Sequence, residues 1–106
     1  MAQNVGPVDF STGTGNNIFN IGMTATWMQI YFQSSGNKQS KGFIYGGAQY
    51  CYSDDANPVN KAIQVKNSSG TVVFEGTWTS FSGNNVTFNI TTNTLGTPRA
   101  LLVFGN

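Results

Sequence analysis

Apolar side chains recur at every second residue along most of this chain, and nowhere at helical spacing over three turns. A strand points successive side chains to opposite faces, so this period commits the chain to half-buried β-structure. Phe19, Ile21 and Met23 share one face. Met28, Ile30 and Phe32 alternate with Trp27, Gln29, Tyr31 and Gln33. Phe43 and Tyr45 alternate with Ile44, and Tyr50 and Tyr52 oppose Cys51. Ile63 and Val65 form one face, as do Val72, Phe74 and Trp78, and then Val86, Phe88 and Ile90. The last run, Arg99 to Phe104, is apolar on both faces and suits a central strand or a covered edge.

Turn residues separate these runs. They fall at 12–17, 34–37, 67–70, 82–85 and 92–98. Asn and Gly supply the positive φ that short loops need, so 65–73 and 81–86 read as hairpins. Seven or eight short strands at about ten-residue intervals predict one antiparallel β-sandwich or jelly-roll-like domain over 9–106. Gly6-Pro7 interrupts regular pairing, and 1–8 reads as an N-terminal arm reaching a neighbour. The expected core is Phe19, Ile21, Met28, Ile30, Phe32, Ile63, Val65, Val72, Phe74, Val86, Phe88, Ile90, Leu101 and Val103.

Composition then bounds the function. With 106 residues there is room for one core. Only 8% of residues are charged, the net charge is +1, and histidine is absent. Asn, Thr, Ser and Gly make up the polar surface instead, at 13, 12, 9 and 13 residues. A Ser–His–Asp triad and every other imidazole mechanism are excluded. Lys38, Lys41, Lys61, Lys66 and Arg99 are scattered among four acids, which gives no footprint for nucleic acid. The longest strongly apolar run, 100–104, is far too short to span a bilayer, and no membrane insertion is expected. The N-terminus has neither the basic nor the apolar region of a secretory signal. One cysteine allows no intrachain disulfide and agrees with folding in a reducing cytosol.

Few constellations remain that carry chemistry. The acids are Asp9, Asp54, Asp55 and Glu75, and no pair of them has the spacing of a hydrolase dyad. Cys51 sits between tyrosines with no cation to activate it and reads as a small buried residue. Asp54, Asp55, Asn57 and Asn60 put four oxygen-bearing side chains in one loop, as calcium requires. The run matches no EF-hand and reads first as a turn opened by Asn57-Pro58, so no metal or other cofactor is assigned. Trp27 and Tyr31 are the stronger signal. If Met28, Ile30 and Phe32 face the core, these two rings point outward beside Gln29. Tyr45, Tyr50 and Tyr52 would extend the patch. Such rings read first as core or subunit interface, and second as a platform on which a sugar stacks.

The run 61–81, with 83–91 after it, resembles the Gly/Asn hairpins and Thr-lined strands of small β modules in bacteriophage virion proteins. These include tail-fibre, tail-tip and capsid decoration domains. The resemblance covers about a third of the chain and carries no site residue with it. It implies a non-enzymatic virion structural or adhesion protein, made in the host cytoplasm, that presents an outward-facing surface. Its partners would be other virion subunits, copies of itself, or a host-surface glycan. The alternative expectation is a free-standing lectin-like module using Trp27, Tyr31 and the tyrosines, with calcium assistance at Asp54 and Asp55.

Overall fold

The computed structural model describes residues 3–32, 36–53 and 59–106. Among these residues nine strands form two antiparallel sheets packed as an open β-sandwich: β1 (Gln3–Asp9), β2 (Gly15–Asn20), β3 (Trp27–Phe32), β4 (Ser40–Tyr45), β5 (Ala48–Ser53), β6 (Ile63–Lys66), β7 (Val72–Ser82), β8 (Asn85–Asn93) and β9 (Arg99–Gly105). One sheet has the order β1-β9-β3-β4-β5 and the other β2-β8-β7-β6. The expected fold class is the observed one. The ninth strand is β1, which takes in the described part of the arm expected over 1–8.

That difference has a local cause. Residues 3–9 pair with β9 along their whole length, from Gln3↔Gly105 to Asp9↔Arg99. Because β1 is an edge strand, Pro7 can sit in it with its N–H-less side turned away from the ladder. Gly6 and Pro7 therefore do not interrupt this strand.

Turn chemistry fixes the hairpins. Gly46 and Gly47 join β4 to β5 with φ of 60° and 81°, a two-residue turn that only left-handed backbone can make. Between β6 and β7, Asn67 Oδ1 accepts the N–H groups of Ser69 at 3.0 Å and Thr71 at 2.9 Å. The turn expected over 12–17 is shorter, since β2 begins at Gly15.

The inner faces of both sheets fill the core. Met28, Ile30 and Phe32 of β3 meet Ile63 and Val65 of β6, Phe74 of β7, and Val86, Phe88 and Ile90 of β8. Phe10, which the alternation did not flag, is fully buried at the corner after β1. Its ring centroid lies 4.9–5.8 Å from those of Phe19, Phe32, Phe74 and Phe88. Five residues of the expected core are placed differently. Leu101 and Val103 point away from the core, and Ala100, Leu102 and Phe104 occupy it instead. Val72 is only half-buried at the start of β7. Phe19 and Ile21 are half-buried and line the core's margin. Strand β9 is apolar on both faces, so its sequence cannot set its phase; pairing of Leu101 with Tyr31 and Val103 with Gln29 does.

Gly42 is the one inner-face position of β4 without a side chain, and the chain before β6 crosses it closely. A Cβ there would collide with the carbonyl oxygen of Ala62. The two sheets are further tied by Gln49 of β5. Its amide donates to the Trp78 carbonyl at 3.0 Å, and its oxygen accepts the N–H groups of Trp78 at 2.8 Å and Ala62 at 3.1 Å.

Candidate functional site

With Met28, Ile30 and Phe32 buried, period two forces Trp27, Gln29 and Tyr31 to the outer face of the five-stranded sheet. Antiparallel register then aligns the neighbouring strands into rows. One row runs Val5, Val103, Gln29, Phe43 and Tyr50; the next runs Pro7, Leu101, Tyr31, Lys41 and Tyr52. A third places Gly105, Trp27, Tyr45 and Ala48 side by side. Trp27, Tyr31, Tyr45, Tyr50 and Tyr52 thus lie on one face of three adjacent strands.

Three rings on β4 and β5 are in mutual contact. Phe43 stacks on Tyr50 with centroids 5.4 Å apart and 24° between planes. Tyr52 stands edge-on to both, at 6.1 Å. The Tyr31 hydroxyl donates to Gln29 Oε1 at 2.6 Å, which lays it along its own strand. Tyr45 is 73% exposed, Val5 60%, Leu101 42%, and Tyr50 and Tyr52 38% each. Sequence reasoning missed Phe43, Val5, Pro7, Leu101 and Val103. Their signal was the phase of three strands, which becomes visible only once Ile44, Val8 and Leu102 are known to face inward.

Two open depressions interrupt this face. One of about 410 Å³ lies between Trp27 and Tyr45, with Thr26, Gly46 and Asn106 at its edges. The other, about 320 Å³, lies among Pro7, Tyr31, Lys41, Arg99 and Leu101. Charge is sparse here. Arg99 clamps Asp9 through its Nε at 2.8 Å and a second guanidinium nitrogen at 3.2 Å. That hydrogen bond holds the exposed Asp9 carboxyl below its ordinary range.

The opposite outer face has a different chemistry. On β2, β8 and β7 it presents Asn16, Ile18 and Asn20 beside Thr87 and Asn89, with Thr77 and Thr79 beyond. Glu75 lies there too, accepting from Gln64 Nε2 at 2.7 Å, with Lys61 Nζ at 3.9 Å. The two described acids, Asp9 and Glu75, therefore sit on opposite sides of the sandwich. Cys51 is buried, and burial, reinforced by Glu75, pushes its thiol up to about 12.

The calcium candidates Asp54, Asp55 and Asn57 lie outside the described residues. Among the described residues no group of three or more His, Cys, Asp or Glu side chains is placed to hold a metal ion. Comparison with known protein families, curated proteins and solved structures finds no match to this chain.

Proposed function

We propose that this chain is a non-enzymatic structural and adhesion protein of a virion surface, a decoration, spike or fibre component. Its working surface is the outer face of the β1-β9-β3-β4-β5 sheet. The observation that carries this reading is the asymmetry of the sandwich. One outer face is aromatic and aliphatic across all five strands, while the other is lined by Thr and Asn. Soluble monomers rarely leave an apolar area of several hundred Å² uncovered, and such areas mark contact surfaces. The resemblance of the hairpins to virion modules supplies the setting.

The test is density-gradient fractionation of source material, following the chain by mass spectrometry. Co-sedimentation with particles at fixed stoichiometry is expected. Recovery only in the soluble fraction refutes the virion setting.

A lectin-like function is the second reading. The depression between Trp27 and Tyr45 favours it, because two rings flanked by the neutral residues Thr26 and Asn106 suit an uncharged sugar. Tryptophan fluorescence should then shift on adding a glycan, and Trp27→Ala should abolish the shift. No response across a broad glycan panel would remove this reading.

A further inference from the structure

We infer that the aromatic face packs against the same face of a second copy of this chain, about a two-fold axis running along β3. The inference rests on the reading of that face as a contact surface and names what covers it. Four observations carry it.

The first is area. Five strands about 4.8 Å apart and about 20 Å of strand length give on the order of 500 Å² in projection, and more with the relief of the rings. That approaches the lower end of the roughly 600–1,000 Å² each partner contributes to a specific interface.

The second is that both edges of this sheet are already managed. Pro7 removes a donor from the β1 edge. At the β5 edge, Cys51 and Val59 exchange two backbone hydrogen bonds of 3.1 Å. Growth of the sheet edge to edge is disfavoured on both sides, and the face remains.

The third is shape. The face has a bulky half, with Phe43, Tyr50 and Tyr52 on β4 and β5, and a small half, with Val103, Val5 and Pro7 on β9 and β1. Stacked sheets keep a nearly constant separation of about 10 Å. An axis along β3 sets Phe43 over Val103 of the second copy, Tyr50 over Val5 and Tyr52 over Pro7. Large side chains then meet small ones on both sides of the axis, and Trp27, Gln29 and Tyr31 of β3 meet their own copies along it. An axis across the strands would stack ring on ring at one side and leave a gap at the other.

The fourth is charge. Lys41 and the Asp9–Arg99 pair are the charged side chains of this face among the described residues, and they lie toward one end of it; Lys41 falls over Leu101 of the second copy, where its aliphatic stem can cover apolar surface while its ammonium reaches the rim. With a net charge of +1, the copies repel one another weakly.

Sedimentation of the purified full chain tests this. The wild type should form a dimer with a dissociation constant at or below about 10 µM, little changed by salt. Val5→Glu and Tyr50→Lys should each weaken association by about 100-fold or more, since each buries a charge against an apolar partner. Circular dichroism should stay near wild type, and so should melting at concentrations below the dissociation constant, where association adds no stability, because Val5 and Tyr50 both lie on the outer face. An equimolar mixture of the two variants should regain the dimer. In it one Glu faces one Lys, and the reciprocal Tyr50–Val5 contact is intact. Ile18→Glu, on the opposite face, should leave the dimer unchanged. Should Tyr50→Lys fail to fold, Leu101→Lys, which faces Lys41 of the second copy, replaces it as a single variant that should stay monomeric, and the mixture is then not used.

A monomeric wild type, a dimer indifferent to Val5→Glu, or a mixture that stays monomeric overturns the proposal. A monomer that still co-sediments with particles overturns the second copy alone and leaves the adhesion reading standing. A monomer whose tryptophan emission responds to a neutral oligosaccharide assigns the face to sugar instead.

Discussion

Gln49 offers the sharpest test of how the two sheets are joined. Strand β7 is eleven residues long and β6 only four, and their ladder ends at Ile63↔Gly76. Beyond that point the Trp78 backbone has no strand on the β6 side. The Gln49 carboxamide takes that place, donating to the Trp78 carbonyl and accepting its N–H, as a peptide group would. The same oxygen accepts from Ala62, so one side chain satisfies three backbone groups. Replacing it with alanine strips all three at once. Each buried backbone group left unpaired costs about 1–3 kcal/mol. Gln49 is half-buried, so water recovers part of the loss, and Gln49→Ala should destabilise by about 2–4 kcal/mol.

Equilibrium unfolding in urea measures this directly. The midpoint should fall while the slope stays constant, since the surface exposed on unfolding barely changes. Gln49→Glu adds a pH signature. A carboxylate keeps both acceptor bonds but opposes the Trp78 carbonyl with a second oxygen. Protonation restores a donor, so the deficit relative to wild type should shrink as pH falls through the carboxyl range. A loss below about 1 kcal/mol for Gln49→Ala would mean that the three groups find other partners, and the brace argument would fail.

Other perturbations follow from the same packing. Gly42→Ala drives a methyl into the Ala62 carbonyl and should cost about 1–3 kcal/mol or more in the same unfolding assay. Ile30 is fully buried at the centre of β3, and Ile30→Ala should cost about 2–5 kcal/mol; a change under about 1 kcal/mol would place its side chain outside the core. Cys51 should resist alkylation in the native protein and label readily in denaturant. Its raised pKa also sets a sign. Stability from the neutral buried thiol is fully present below the ordinary value of 9.0 and is lost as pH rises toward about 12. Cys51→Ala should flatten that alkaline decline.

The alternating runs of Met28–Phe32, Val86–Ile90 and Ile63–Val65 determined a β-sandwich and most of its core, because period two with one buried face admits little else. The Asn/Gly turns placed two hairpins for the same local reason. The lack of histidine and of clustered charge bounded the chemistry without any fold. Position in the sheet was not legible. Gly6-Pro7 reads as an interruption anywhere except at an edge, and only the pairing of β1 with β9 puts it at one. Phe10 has no periodic partner, and only the meeting of two sheets makes it the hub of five rings. The candidate face divides the same way. Trp27 and Tyr31 could be flagged from their own strand, and Tyr45, Tyr50 and Tyr52 from theirs. That all five share a surface with Phe43, Leu101, Val103 and Val5 follows from the order β1-β9-β3-β4-β5. Strand order is set by long-range backbone pairing, and no local pattern in the sequence encodes it.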